Sequence, residues 1–312
     1  MSIERVSNLT KADFIESFLK PGVPVVVSDG MKNWDLNRFT PESLTRDFGE
    51  EDVQVYDDLF GLQDVIPLRS YLKNHFNKKI SDPRSKLYVR WYTKLKDVDF
   101  VWSDHVFDRL KDAWNHPYFI PNSSLIVPFC PNGHQLSPID SQFPYKGLFI
   151  SGRGARTRLH RDPWNSSAVL CQLFGKKKIY LYDREQTNYV TNGKEFVDVL
   201  VPDLAKFPNF PKATRLAELT LSPGEMVFFP WGTFHDVTSE TDSVSITWNF
   251  LSDCNLEEFC NHVRKYPDEG ELQVVKYFLK NHIATDASAE DIIRFATSKV
   301  SGHLGPSLPN YR

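Results

Sequence analysis

Apolar positions first recur at helical spacing near the amino terminus. Thr10 precedes Asp13 by three positions, and Phe14, Phe18 and Leu19 follow, which predicts a capped helix that Pro21-Gly22 ends. Val25 to Val27 is a short, wholly apolar run closed by Asp29-Gly30, the pattern of a buried strand and its turn. The aromatic-rich segment Leu-Tyr-Val-Arg-Trp-Tyr at 87–92 and the pair Val101-Trp102 extend this mixed region, and Pro128 to Tyr145 reads as an irregular, proline-rich connection. From Gly147 to Leu251 the rhythm changes to short strands between breakers: Leu148–Ile150, Thr157–Asp162, Ala168–Phe174, Lys178–Tyr182, Leu216–Leu221, Met226–Phe229 and Val244–Phe250. Such spacing predicts a mainly β fold, an antiparallel sandwich or jelly roll. After Asp253 the pattern is helical again. Asn255 with Glu258 marks one helix start, and Ser288 with Asp291 marks another whose helix stops at Gly302.

A length of 312 residues suits one large domain with appendages or two small ones. The expected division is a mixed α/β region over 1–140 packing on the core, the β core over 141–252, and a helical region over 253–312. Hydrophobic content of 41% and charged content of 25% are ordinary for a soluble globular protein, and a net charge of −3 argues against a general polyanion binder. Lys176-Lys177-Lys178 reads as a partner surface or as a solvated strand end. Cysteines 130, 171, 254 and 260 form no Cys-x-x-Cys pair, and Cys171 sits in an apolar run as a buried free thiol. The amino terminus lacks the apolar core of a signal peptide, and no stretch approaches the about eighteen apolar residues that span a bilayer. A soluble intracellular location, cytoplasmic or nuclear, is expected, so the sequons at Asn8, Asn122 and Asn165 carry no weight.

The candidate chemistry lies in His160-Arg161-Asp162 and in His235, which follows Met226 to Phe229 and the breakers Pro230 and Gly232. Strand residues i and i+2 share a face, so His160 and Asp162 can hold one ion while Arg161 points away. With a third ligand from a remote strand, two histidines and one carboxylate make the facial set of a non-haem Fe(II) centre, which leaves positions open for a co-substrate and dioxygen. Arg161 and Asp236 either tune such a centre or face solvent.

Several segments together resemble the jumonji-C branch of the cupin superfamily of Fe(II)- and 2-oxoglutarate-dependent oxygenases, most of all its lysyl hydroxylase group. They are Gly154 to Pro163, Gly175-Lys-Lys177, Pro223 to Pro230 with His235, Ser245-Ile-Thr-Trp-Asn-Phe250, and Phe207 to Ala213. The likeness runs from about Val25 to Phe250. It implies a double-stranded β-helix core, Fe(II) with 2-oxoglutarate as co-substrate and O2 as oxidant, and iron ligands His160, Asp162 and His235. It also implies that Lys177 pairs with the far carboxylate of 2-oxoglutarate, that Thr157 hydrogen-bonds the same carboxylate, and that Thr247 and Asn249 lie on the co-substrate side. Tyr88, ahead of Tyr92, matches the tyrosine that assists. Leu170 departs from the pattern, standing where the lysyl hydroxylase has asparagine. Thr157 and His160 are three apart, so both reach one site only if a bulge or bend intervenes.

The implied reaction hydroxylates a substrate C–H with decarboxylation of 2-oxoglutarate to succinate. His-x-Asp followed by a lysine resembles the hydroxylases more than the His-x-Glu demethylases, so the expected partner is a protein or peptide side chain, and demethylation is the lesser alternative. Pro202 to Pro208 also resembles a wybutosine hydroxylase, which leaves a tRNA nucleoside open. A non-oxygenase cupin binding or isomerising a small metabolite is a further alternative. Trp164, Trp231, Phe234 and Trp248 line the mouth or the core, and Leu272 to Leu279 serves a homodimer or the protein's own packing.

Overall fold

The computed structural model describes residues 3–79, 86–95, 101–115, 117–120, 125–127, 145–279, 283–284 and 286–301. Cys130, Asn122, nearly all of the expected proline-rich connection, the domain division near residue 140 and the helix stop at Gly302 lie outside them.

In chain order the strands are β1 (Glu4–Val6), β2 (Val25–Val27), β3 (Asp52–Tyr56), β4 (Leu62–Pro67), β5 (Tyr88–Tyr92), β6 (Leu125–Val127) and β7 (Lys146–Ser151). They continue as β8 (Arg156–His160), β9 (Ser167–Phe174), β10 (Lys177–Tyr182), β11 (Arg215–Leu221), β12 (Met226–Phe229), β13 (Phe234–Ser239) and β14 (Ser243–Ser252). Helices are α1 (Lys11–Phe14), α2 (Pro41–Phe48), α3 (Leu68–His75), α4 (Asp104–Arg109), α5 (Thr187–Val190), α6 (Leu256–Lys265), α7 (Leu272–Leu279) and α8 (Ala289–Ser301). The large sheet runs β1-β2-β12-β9-β14-β7-β5-β3-β4, with β6 paired to β14, and the small sheet runs β11-β10-β13-β8. Amino-terminal strands thus extend the same sheet as the expected core.

Alternation decides what each strand faces. On β9, Ala168 and Leu170 point between the sheets, where they meet Ile179 and Leu181 of β10, Leu219 of β11 and Val237 of β13. Val169, Cys171 and Leu173 point the other way, into a second core with Phe14, Phe39, Leu44, Tyr71 and Trp248. Cys171 is a buried free thiol, as its apolar setting predicts. The outer face of the small sheet is covered by the segment after β10, with Val190, Val197 and Phe207 packing on Leu159, Tyr182 and Phe234. The result is the two-sheet β-helix core expected, with helices on the back of the large sheet and after its last strand.

Local chemistry sets the ends. Thr10 accepts from the Asp13 amide at 3.0 Å, and Ser288 accepts from that of Asp291 at 3.2 Å, as their spacing predicts. Asn255 differs from expectation. Its side chain accepts from the Ser252 amide at 3.0 Å and donates to the Asn165 carbonyl at 2.9 Å, so it is committed backwards and does not cap α6. Being fully buried, it needs both partners, and it ties the end of β14 to the loop after Asp162. In α7, Leu272, Val274, Val275 and Leu279 pack with Phe259, Val263 and Ile292 of the neighbouring helices.

Candidate metal centre

β8 and β13 are adjacent antiparallel strands, and their register brings His160 opposite His235. Thr157 stands opposite Val237, so three steps on β8 span two on β13. That extra residue is the bulge that the spacing of Thr157 and His160 requires; it sends both side chains to the cavity while Leu159 packs outward. Asp162 lies just past β8, with extended backbone, and begins a short 3-10 turn. Trp164 and Asn165 follow at φ 43° and 54°, a left-handed pair that is costly for a bulky residue. Burial of Trp164 against Tyr145 and Phe259 holds that turn.

One ligand atom from each of His160, Asp162 and His235 lies within 4.8 Å of the others, and His235 Nε2 stands 3.9 Å from Asp162 Oδ2. The other ring nitrogens are spoken for. His160 Nδ1 donates to the Arg158 carbonyl at 2.8 Å, and His235 Nδ1 to the Thr233 carbonyl at 3.2 Å, when each carries its proton there. That tautomer leaves both Nε2 atoms with free lone pairs. Phe229 stacks on His235 at 4.5 Å, and Phe60 meets His160 edge-on at 5.1 Å, which fixes both rings. Burial, and then the nearby His235, hold His160 well below the usual imidazole range. A neutral imidazole is the form that binds a metal.

A cavity of about 430 Å³ opens between the sheets beside this cluster. Lys177, Thr157, Thr247 and Asn249 line it with the three candidate ligands. Lys177 is 5% exposed, its ammonium donates to Ser245 Oγ at 2.7 Å, and burial pushes it down to about 7. No carboxylate pairs with it among the described residues. Within the run of three lysines, Lys176 is exposed and Lys178 pairs with Glu218, so alternation alone sends the middle one inward. Asn249 donates to Ser166 Oγ at 3.2 Å, and Leu170 sits across from Thr247.

Tyr88 is not among the residues that line the cavity, whereas Tyr92 is. The Tyr88 hydroxyl is buried beside Thr157, out of hydrogen-bonding geometry with any described residue, and burial pushes it up to about 12. Asp236 faces neither solvent nor the cluster: it is fully buried and takes a hydrogen bond from Arg156 Nε at 2.8 Å. Arg156 also holds Asp198 at 2.8 Å, which ties the small sheet to its covering loop. Arg161 lines the cavity. Of the four aromatics considered, Trp164 lines it too, while Phe234 and Trp248 lie in other cores and Trp231 packs by Gly22.

Part of the cavity wall carries little local signal in the sequence. Arg90, Phe60, Phe149, His262, Glu269 and Glu271 all line the cavity. His262 on α6 contacts Glu269 at 2.6 Å, so the carboxy-terminal helices supply one side of the mouth. Only Arg90 left a trace in the sequence, as a lone charge inside an aromatic strand.

The donor set suits a divalent ion of the iron group, and a buried ammonium with a neutral partner suits an anionic co-substrate beside it. A family profile described as "Cupin-like domain" matches residues 11–255. The chain is 24% identical over 280 residues to the 2-oxoglutarate and iron-dependent oxygenase JMJD4 of Gallus gallus, covering 81% of this chain and 61% of that protein. It is 34% identical over 267 residues to the tRNA wybutosine-synthesizing protein 5 of Mus musculus, covering 81% and 80%. It is 24% identical over 271 residues to the bifunctional arginine demethylase and lysyl-hydroxylase psr-1 of Caenorhabditis elegans, covering 82% and 62%. The chain thus spans about three fifths of the length of the first and third of these. No helix among the described residues is long and apolar enough to cross a membrane. With a profile match over most of its length and jumonji-C proteins among its relatives, the chain belongs to the cupin-like domain family of jumonji-C type.

Proposed function

We propose that this protein is an Fe(II)- and 2-oxoglutarate-dependent dioxygenase that hydroxylates a protein side chain. The observation that carries the reading is the convergence of His160, Asp162 and His235 within 4.8 Å in a cavity that also holds Lys177, a buried cation lacking a carboxylate partner among the described residues. Iron, once bound with 2-oxoglutarate and O2, supplies the oxidising chemistry: one oxygen atom enters a substrate C–H bond, the other enters succinate, and CO2 leaves.

The chain's own residues do the rest. His160, Asp162 and His235 would hold the ion through one atom each, and a three-residue set of this kind would leave room for exchangeable ligands. Lys177 would receive the far carboxylate of 2-oxoglutarate, with Thr157 on the same cavity wall as a further donor, whereas Tyr88 stands outside that wall. Thr247 and Asn249 on β14 line the cavity in which the co-substrate would lie. Phe229 and Phe60 hold the imidazoles in place, and with Leu170 they give the cavity an apolar wall that would limit water.

A tRNA nucleoside is the second reading, favoured by the wybutosine-synthesizing relative, whose match covers both chains almost evenly. Purified protein with Fe(II), ascorbate and 2-oxoglutarate, mixed separately with peptide extract and with tRNA, decides between them. A mass gain of one oxygen on peptides, with matched succinate, supports the first reading; the same gain confined to tRNA supports the second. In either case His160→Ala, Asp162→Ala and His235→Ala are each expected to abolish iron-dependent succinate formation while far-UV circular dichroism stays unchanged. Turnover retained in all three variants refutes the ligand assignment.

A further inference from the structure

We infer that Arg90 is the receptor for a carboxylate on the substrate, a second anion site in the same cavity and distinct from that at Lys177. The inference rests on the oxygenase reading and narrows its substrate to one that carries such a group.

Arg90 lies on β5 with its guanidinium carbon over the rings of Phe60 at 4.6 Å, Tyr56 at 5.3 Å, Tyr92 at 5.4 Å and Phe149 at 6.0 Å. Ring faces stabilise its charge but take up little of its hydrogen-bonding capacity. Of five N–H donors, one Nη reaches the Tyr92 hydroxyl at 3.3 Å, and Nε has no partner among the described residues. Nor does any carboxylate among the described residues pair with Arg90. Arg156 is the internal contrast: it is the deep arginine with a structural task, and its donors are taken by Asp236 and Asp198. A guanidinium with idle donors in the wall of a cavity is a preformed fork for a planar oxyanion.

Position adds to chemistry. Phe60 touches both Arg90 and His160, so the fork lies one ring away from the proposed iron ligands. Phe60 sits at φ 66° in the turn between β3 and β4, which the Asp57 side chain holds by accepting from the Leu59 amide at 3.0 Å and the Gly61 amide at 2.8 Å. A large apolar residue kept in that conformation marks a constrained site.

The test uses the whole protein loaded with Mn(II), which broadens the NMR signals of nearby nuclei without turnover. Probes are acetate, inorganic phosphate and methylammonium, each with and without 2-oxoglutarate. In the wild type, the acetate methyl signal is expected to broaden saturably, and methylammonium is expected to show no effect. Arg90→Gln should weaken acetate binding about tenfold or more while 2-oxoglutarate affinity changes less than about twofold; Arg90→Lys, which keeps the charge, should recover part of the loss and also controls for folding. Acetate binding unchanged in Arg90→Gln overturns the inference, as does a loss of 2-oxoglutarate affinity matching that of Lys177→Gln, which would make Arg90 a co-substrate residue. Phosphate binding more tightly than acetate overturns the choice of carboxylate. Failure of the wild type to bind 2-oxoglutarate strikes instead at the oxygenase reading; in that case acetate broadening lost in Arg90→Gln but kept in Lys177→Gln still supports Arg90, and the reverse pattern overturns it.

Discussion

At the scale of single residues, Lys177 shows how a site declares itself through cost. A lysine sealed beside one serine hydroxyl loses hydration that the hydroxyl does not replace, and burial alone moves it down to about 7. Such a group persists where a bound anion offsets the loss. Lys177→Met is therefore expected to raise the 2-oxoglutarate requirement at least about tenfold while stabilising the ligand-free protein by about 1–3 kcal/mol. Succinate assays and urea unfolding of the same preparation check both halves; a variant that is unstable yet fully active contradicts the account. The convergence of His160, Asp162 and His235 was legible in the sequence because His-x-Asp and the turn before His235 are local signals. His262 and Glu269 were not, because the return of the carboxy-terminal segment makes them wall residues and no local pattern encodes it; Arg90 showed only as a lone charge in an aromatic strand, and its place in the wall depends on the pairing of β5 with β7.

At the scale of elements, the site depends on register. Gly175 turns β9 into β10 at φ 70°, and a Cβ there would lie 1.9 Å from the Asp242 carbonyl oxygen. Glycine is needed at that position on both counts. The turn decides that Lys177, and not Lys176 or Lys178, opens the inward face. Gly175→Ala is expected to cost about 2–5 kcal/mol, the sum of left-handed strain and steric displacement, and to weaken 2-oxoglutarate binding through Lys177. Denaturant midpoints and co-substrate titration measure the two effects; an alanine variant of native stability would show that the turn does not set this register. Strand content was readable from alternation between breakers, and the bulge on β8 was readable from the odd spacing of Thr157 and His160. The role of Asn255 was not, since its partner Asn165 is ninety residues away in the chain.

At the scale of the whole molecule, two sheets enclose a polar cavity, and the cations sealed within the fold leave a trace in its stability. Lys177 falls to about 7 and Lys146 to about 8, both chiefly through burial, from an ordinary value of 10.5. Between those folded values and 10.5 the unfolded chain binds more protons than the native one, so stability rises with pH across this window and gains nothing from these groups below it. Unfolding free energies from about pH 7 to 9.5 should therefore climb in the wild type and climb less in Lys177→Met, with the Lys146 contribution remaining; equal slopes would contradict the burial of Lys177. The jelly-roll class was readable from strand spacing, whereas the joining of amino-terminal strands to the same sheet depended on pairings between remote segments. The most direct test of the central claim is anomalous diffraction from crystals grown anaerobically with Fe(II) and 2-oxoglutarate. The account predicts one iron peak bounded by His160, Asp162 and His235, with co-substrate density reaching Lys177; a peak elsewhere, or none with iron present in excess, contradicts it.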